Sequence, residues 1–277
     1  MADVLVFTTD VDLSYEVEKI TNQLGFRTRL VNDLPTALEW FLVRSFDIVI
    51  TDSKMSIQTQ EKLADRLWKK DINGLLLVLD NNELKMPSQM RLFGAEVISG
   101  IDILDKLKRF LTRYISDEGN IIKELNVLVV DDLESPRDII CIYLEELGLS
   151  VKTKGVSSAD EAIKLLNKDP EFFSCVLTDI KMPRMSGEEL IRYIRGNQSL
   201  SHLPIIVLTA YGTADCLLAC LKAGASGFLV KPPKKQDMAR EIARARRIIR
   251  RGLDPRLVRE NEENITEEFL FSRGIVL

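Results

Sequence analysis

The sequence predicts an α/β protein made of two tandem, doubly wound (βα)5 domains, each with a parallel five-stranded sheet. First, short apolar runs alternate with longer amphipathic runs five times in each half of the chain. Second, a polar, glycine-bearing segment at 116–120 separates the two sets and is typical of a linker. Third, the sequences of the two halves can be aligned, with Asp52 matching Asp179 and Gly94 matching Gly224. A repeat of domain length favours two copies of one fold.

The first predicted domain covers residues 1–118. Its strands are apolar runs bounded by turn residues, and its helices carry apolar residues at spacings of three and four, as in Leu104, Leu107, Leu111 and Tyr114. The predicted strands are 4–7, 27–31, 48–51, 75–79 and 96–98, and the predicted helices are 13–24, 35–44, 57–69, 87–93 and 102–115.

The second predicted domain covers residues 125–252. Its first helix is predicted to start with Ser135 as N-cap and Pro136 at the first helical position. The predicted strands are 127–130, 151–154, 175–178, 205–208 and 228–230, and the later helices are 158–167, 187–195, 213–223 and 235–251.

The C-terminal part combines a basic helix with an acidic segment. Residues 253–277 are predicted to form an acidic helical tail. The helix before it carries arginines at spacings of four, three and four, which we interpret as a solvated face or a surface that the tail meets. Nucleic acid is not the expected partner of this stripe, because no aromatic residues are interleaved with it. The stripe consists of Arg240, Arg244, Arg247 and Arg251, and the opposite, apolar face of Met238, Ile242, Ala245 and Ile249.

Composition restricts the environment of the protein. The chain has 277 residues, of which 45% are hydrophobic and 29% charged, with a net charge of −4, so no overall field attracts it to nucleic acid. Its apolar runs are too short to cross a bilayer, and its N-terminus lacks the pattern of a secretion signal. The four cysteines lie in apolar surroundings without paired-ligand spacing, as buried free thiols do. We therefore expect a cytoplasmic protein with neither nucleic acid nor membrane as partner.

Polar side chains follow four apolar strands of the second domain. Asp131 and Asp132 follow the first strand, Asp179 the third, Thr209 the fourth and Lys231 the fifth. The carboxyl ends of parallel strands lie at one edge of a sheet, so these side chains should meet there. Clustered carboxylates repel one another unless a hard dication lies among them, and Mg²⁺ is the natural candidate. Asp179, which stands alone on its strand, is the predicted nucleophile, and the adjacent pair suits metal binding.

This pattern resembles the receiver domain of two-component response regulators, which has a flavodoxin-like fold. The resemblance assigns the metal-binding acidic pair to Asp131 and Asp132 and the phosphoacceptor, also a metal ligand, to Asp179. It assigns the switch hydroxyl to Thr209 and the active-site lysine to Lys231. It implies Mg²⁺-dependent phosphorylation by a sensor histidine kinase, a phosphotransfer protein or a small acyl phosphate.

Three further positions are assigned by the same resemblance. The aromatic switch position falls on Phe228, which lacks a hydroxyl, so a change of rotamer there would act through packing alone. Lys181 and Tyr211 each follow an active-site residue by two positions. Bulky side chains at these modulating positions are expected to screen an acyl phosphate from water, which predicts a long-lived phosphorylated form.

The first domain resembles a degenerate copy of the second. Asp52 is retained, but Thr8 and Thr9 replace the acidic pair. The threonine position is predicted to hold Leu79, and residues 98–101 contain no lysine. Without paired acids and lysine, this domain is expected to be a pseudo-receiver that serves as a dimerisation or docking surface.

Together these observations predict a response regulator that is not itself an enzyme. It would signal through contacts with an unknown output protein, through homodimerisation, or by passing the phosphoryl group on. Two alternatives are a scaffold that is never phosphorylated and a regulatory fragment of a longer output protein. A third rests on Asp10 and Asp12, whose segment is similar to the nucleophile motif of haloacid-dehalogenase-type phosphatases. Acids at a helix N-terminus account for the same two residues.

Overall fold

The computed structural model describes residues 2–70, 74–81, 90–91, 94–116, 124–147, 150–210 and 214–258. The chain forms two compact units, Met1–Gly119 and Asn120–Leu277. Each unit contains a parallel five-stranded sheet with helices between its strands, which confirms the predicted fold class. None of the helices in the described part of the chain has the length and apolar character needed to cross a membrane.

The first unit has the strand order β2-β1-β3-β4-β5. Leu107 and Leu111 are buried and Leu104 and Tyr114 pack against the same core, so the helical spacing noted above is confirmed. The helix predicted over 87–93 lies outside the described residues, except for positions 90 and 91, which are helical. The elements are β1 (Asp3–Phe7), α1 (Val11–Gln23), β2 (Arg27–Val31), α2 (Leu34–Val43), β3 (Ile48–Asp52), α3 (Ile57–Lys70), β4 (Leu75–Asp80), β5 (Glu96–Ser99) and α4 (Ile103–Ser116).

The second unit has the strand order β10-β9-β8-β6-β7, so the strand that carries Asp179 lies at its centre. The three central strands are almost fully buried and mostly apolar, as parallel strands covered by helices on both faces must be, whereas the edge strand at 151–156 exposes Lys152 and Lys154. The elements are β6 (Leu125–Val130), α5 (Glu134–Glu145), β7 (Val151–Val156), α6 (Ala159–Lys168), β8 (Cys175–Asp179), α7 (Gly187–Gly196), β9 (Ile205–Thr209), α8 (Ala214–Lys222), β10 (Gly227–Val230) and α9 (Lys235–Arg251).

Helix α5 begins one residue before the predicted N-cap. Its N-cap is Leu133, which makes no side-chain capping hydrogen bond, so the prediction of Ser135 is wrong. The reason is Asp131, whose Oδ1 accepts a hydrogen bond from the Leu133 backbone N–H at 3.0 Å and turns the chain early. Pro136 is still accommodated, because N–H groups of the first turn have no acceptor within the helix.

Helix α9 agrees with the prediction on its apolar face and contradicts one of the two interpretations of its arginine face. Its apolar face is buried as expected, with Met238, Ile242 and Ala245 in the core and Ile249 packed against it. Arg244 and Arg247, however, are only 8% and 9% exposed, so a solvated arginine face is wrong for these two residues. The same helix carries the half-buried Glu241, whose Oε2 lies 3.8 Å from Arg244 Nη1 and occupies the space left by the missing side chain of Gly227.

The residues after α9 return to the sheet. Gly252 ends the helix in the left-handed conformation, and residues 253–258 are not helical, so a helical tail is wrong for this part. The Leu257 backbone N–H donates to the Ala225 carbonyl at 2.9 Å, and the Leu257 side chain is fully buried. Residues 259–277, which carry most of the predicted acidic tail, lie outside the described residues.

Replacing Glu241 with glutamine should reduce the pH dependence of stability. Burial raises the pKa of the Glu241 carboxyl, despite the opposing effect of Arg244 and Arg247. The folded protein therefore retains a proton that the unfolded chain loses near pH 4.5, so this group's contribution to stability falls as pH rises above that value. Urea denaturation at increasing pH should show Glu241→Gln gaining stability relative to wild type. Glu171→Gln, at an exposed loop position, should not; an equal response of both variants would contradict the assignment.

Candidate functional site

The strand register of the second unit brings the predicted residues to one edge of its sheet. Val130 lies beside Thr178, Asp179 beside Leu208, and Thr209 beside Val230. Asp131 and Lys231 are the next residues after β6 and β10, and the Lys231–Pro232 peptide bond is cis.

The Lys231 ammonium group joins two of the carboxylates. Its Nζ lies 2.7 Å from Asp131 Oδ2 and 2.5 Å from Asp179 Oδ1. The Asp131 side chain is fully buried, that of Asp179 is 14% exposed and that of Lys231 is 22% exposed. One ammonium therefore bridges two carboxylates and offsets one of their two negative charges, and the Asp179 side chain stays partly accessible to solvent.

Burial and neighbouring charges have opposite effects on the pKa values of Asp179 and Lys231. Burial raises the pKa of Asp179, with a smaller contribution from repulsion by Asp131, and the adjacent Lys231 reduces the rise without cancelling it. Burial alone would lower the pKa of Lys231, but its hydrogen bonds to Asp131 and Asp179 outweigh that effect and raise it. The ammonium therefore stays protonated, while the Asp179 carboxylate is less stabilised than a fully solvated one.

The loop after Asp179 is held tightly against it. The Lys181 backbone N–H donates to Asp179 Oδ2 at 3.1 Å, and the Gly187 N–H donates to the Ile180 carbonyl at 2.9 Å. Ser186 and Glu189 form a reciprocal capping box at the start of α7. A Cβ at Gly187 would overlap the Asp179 carbonyl oxygen, so only glycine fits there. The sequence pattern did not reveal this requirement.

The predicted metal ligands are brought together only in part. Asp132 is half-buried, and in the described part of the chain it has no ion-pair partner. Among the described residues, no three Asp, Glu, His or Cys side chains are grouped so that they could hold a metal ion as they stand. The Lys231 ammonium contacts both Asp131 and Asp179 in this arrangement. The chemistry of these side chains still fits Mg²⁺, because they offer carboxylate oxygens, two of which already share the positive charge of the Lys231 ammonium.

The remaining predicted residues lie around this centre. The Thr209 side chain is buried at the end of β9, and its hydroxyl donates to the Ala210 carbonyl at 3.2 Å. Phe228 is half-buried on the edge strand β10, and Lys181 is exposed. Tyr211 lies outside the described residues, so the predicted screening by this side chain stays a prediction.

The corresponding edge of the first unit is built differently. Thr8 donates a hydrogen bond from its hydroxyl to the buried Asp52 carboxylate. Asp52 lies beside Leu79 in the sheet, as Asp179 lies beside Leu208, so the residue equivalent to Thr209 is Asp80. The prediction of Leu79 at this position was therefore wrong by one residue. Asp80 is 1% exposed, and β4 extends one residue further than its apolar run suggested.

Asp10 has a structural role at this edge. Its Oδ1 accepts the Leu13 N–H at 3.0 Å and caps α1, and its Oδ2 pairs with Lys54 Nζ at 3.0 Å. The hydrogen bond from Leu13 and the pairing with Lys54 lower the pKa of Asp10. These contacts give Asp10 a structural role, so the similarity of its segment to a phosphatase nucleophile motif is not needed to explain this residue.

Known proteins are similar to part of this chain. Residues 127–243 match the family described as the response regulator receiver domain. Chemotaxis protein CheY-3 of Vibrio cholerae is 34% identical over 110 residues, which cover 40% of this chain and 82% of that protein. CheY of Pseudomonas aeruginosa is 32% identical over 118 residues, which cover 43% of this chain and 93% of that protein. The crystal structure of a response regulator receiver domain protein from Clostridium thermocellum is 30% identical in sequence to this chain where the two align. The alignment covers 44% of this chain and 94% of that protein, with a TM-score of 0.41. This chain belongs to the response regulator receiver family.

Proposed function

We propose that the protein is a response regulator of a two-component phosphorelay that accepts a phosphoryl group on Asp179 in a Mg²⁺-dependent reaction. The observation that carries this proposal is the shared ammonium of Lys231, in contact with Asp131 and with a partly accessible Asp179. A family whose members act in two-component signalling supports it.

The residues have complementary roles in this reaction. An oxygen of Asp179 forms the new P–O bond while the P–N bond of a phosphohistidine breaks, and the imidazole keeps that electron pair and takes up a proton. Lys231 and Thr209 would bind oxygens of the transferred group. Asp131, Asp132 and Asp179 would hold Mg²⁺, which supplies positive charge for the developing phosphoryl oxygens.

The two units would then have different functions. The receiver, within residues 125–252, exchanges phosphoryl groups with a histidine kinase or phosphotransfer protein and signals by protein contact or homodimerisation in the cytoplasm. The first domain, within residues 1–118, is a pseudo-receiver that provides a docking or dimerisation surface. In support, Thr8 stands where the receiver has Asp131 and makes a hydrogen bond to Asp52, and Gly100 stands where it has Lys231.

Intact-mass spectrometry tests this function. Wild type, Asp179→Asn and Asp52→Asn are incubated with Mg²⁺ and acetyl phosphate. We expect one added phosphoryl group in wild type and Asp52→Asn, and none in Asp179→Asn, because asparagine keeps the shape of the side chain but removes the nucleophilic oxygen. No adduct in wild type, and no uptake of beryllofluoride, would contradict the proposal. An adduct lost only in Asp52→Asn would reverse the roles of the two units.

A further inference from the structure

The Arg137 side chain reaches back from the start of α5 to the loop that carries the acidic pair. Its Nη1 donates a hydrogen bond to the backbone carbonyl of Asp131 at 2.8 Å. Within the described structure this guanidinium forms no ion pair, although the carboxylates of Asp131 and Asp132 belong to the same loop. A cation that contacts the main chain and leaves the nearby carboxylates free can hold the backbone without using up the acids.

Gly155 of strand β7 makes room for this arginine. A Cβ at Gly155 would lie 3.1 Å from Arg137 Cδ and 3.2 Å from its Cγ, which is closer than ordinary van der Waals contact. Gly155 pairs with Val129 inside β7, and a glycine within a strand often marks such a close approach. The stem of Arg137 is therefore held against β7, while its tip is held by the Asp131 carbonyl.

These contacts fix the backbone on both sides of Asp132. The hydrogen bond from Arg137 holds the peptide unit before Asp132. The Leu133 N–H, which donates to Asp131 Oδ1 at 3.0 Å, holds the peptide unit after it. Among the described residues, the Asp132 carboxylate itself has neither a hydrogen-bond nor an ion-pair partner. Its backbone is thus fixed while its oxygens stay available, which is the arrangement that a preorganised metal ligand needs.

We propose that Arg137 is a positioning residue for the metal site of the second unit. By holding the peptide unit before Asp132, it makes this carboxylate a better ligand for Mg²⁺ than it would be on a free loop. The role rests on the proposed Mg²⁺-dependent function. It opposes the direct electrostatic effect of Arg137, because a positive charge near a dication weakens binding by repulsion. Positioning and repulsion therefore predict opposite results when the arginine is removed.

Metal affinity in the absence of a phosphodonor tests this role. The full chain is titrated with Mn²⁺, and free Mn²⁺ is measured by electron paramagnetic resonance. Binding that Asp132→Asn abolishes is attributed to this site. Arg137→Met keeps an apolar stem but removes the donor and the charge. It should weaken this binding about tenfold, as loss of a contact that orients a metal ligand does.

Two further arginine variants serve as controls. Arg137→Lys keeps the positive charge and a donor, so it should recover part of the lost affinity. Arg240→Met removes an arginine that pairs with Asp237 on α9, and it should leave the affinity unchanged. Urea denaturation of each variant, which should show a cooperative transition, establishes that folded proteins are compared.

Gly155→Val tests the same contact with Arg137 in place. The new side chain would displace the arginine stem, so Mn²⁺ binding should weaken, although less than in Arg137→Met. In the Arg137→Met background the same substitution should have no further effect, because the hydrogen bond to the Asp131 carbonyl is already lost. An equal loss in both backgrounds would overturn the role of Arg137.

The outcomes separate this role from the proposed function. Equal or tighter Mn²⁺ binding by Arg137→Met would overturn the positioning role alone, since repulsion gives that result. Asp132-dependent binding in wild type without an acetyl phosphate adduct would refute phosphorylation and leave the positioning role intact. If wild type showed no Asp132-dependent binding, the Mg²⁺-dependent function would be refuted and the role of Arg137 with it.

Discussion

Lys231→Met should make the stability of the second unit strongly dependent on Mg²⁺. Without the ammonium, the buried Asp131 and the largely buried Asp179 face each other with no cation between them. Removing one partner of a buried ion pair costs several kcal/mol, and the partial exposure of Lys231 reduces this to about 2 kcal/mol. Urea denaturation in EDTA should show that loss, and Mg²⁺ should restore more stability in the variant than in wild type.

Lys235→Met is the matched control for this variant. Lys235 pairs with Glu146 on the surface, where both side chains are more than half exposed (54% and 53%), so its removal should change stability little. The predicted role of Lys231 would be contradicted if Lys231→Met were as stable as wild type in EDTA. It would also be contradicted if Mg²⁺ stabilised both proteins equally.

Gly187→Ala is expected to be among the most disruptive single substitutions in the second unit. The new methyl group would overlap the Asp179 carbonyl oxygen and lie 3.1 Å from the Ile180 Cα, and neither is a side-chain atom that can rotate away. The start of α7 must then move from the loop, at a cost of about 3 kcal/mol or more. Because that loop positions Asp179, phosphorylation by acetyl phosphate should also slow in the fraction that remains folded.

Gly196→Ala tests the same change at the other end of the same helix. A Cβ at Gly196 would have no heavy atom within 4 Å, so this variant should be neutral or stabilised by about 0.5–1 kcal/mol. Thermal denaturation of the two variants compares them directly. If both variants lost the same stability, the close approach of Gly187 to Asp179 would not be the cause, because Gly196 makes no such approach.

The sequence was most informative where a polar residue interrupts an apolar run. Asp131, Asp179, Thr209 and Lys231 each stand at the end of a strand, and the alternation of elements already indicated that those ends share an edge. The contact of Lys231 with both acids needs the strand order and register, which no local pattern contains.

The errors have local physical causes. Asp80 was missed because an acid at the end of an apolar run does not reveal whether it continues the strand or leaves it. The burial of Arg244 was missed because helical spacing shows which residues share a face but not what covers that face. Gly227 gave no signal because the predicted strand began at residue 228, whereas Gly227 is the first residue of β10 and the Glu241 carboxylate approaches it closely.

The segment after α9 determines where the second unit can be cut for expression. A fragment ending at residue 252, the predicted boundary, would remove the N–H that Leu257 donates to Ala225. It would also remove the buried Leu257 side chain and expose the surface that this side chain covers. A shortened protein intended to keep the receiver intact should therefore end at or beyond Val258, which makes residues 253–258 part of the smallest useful fragment.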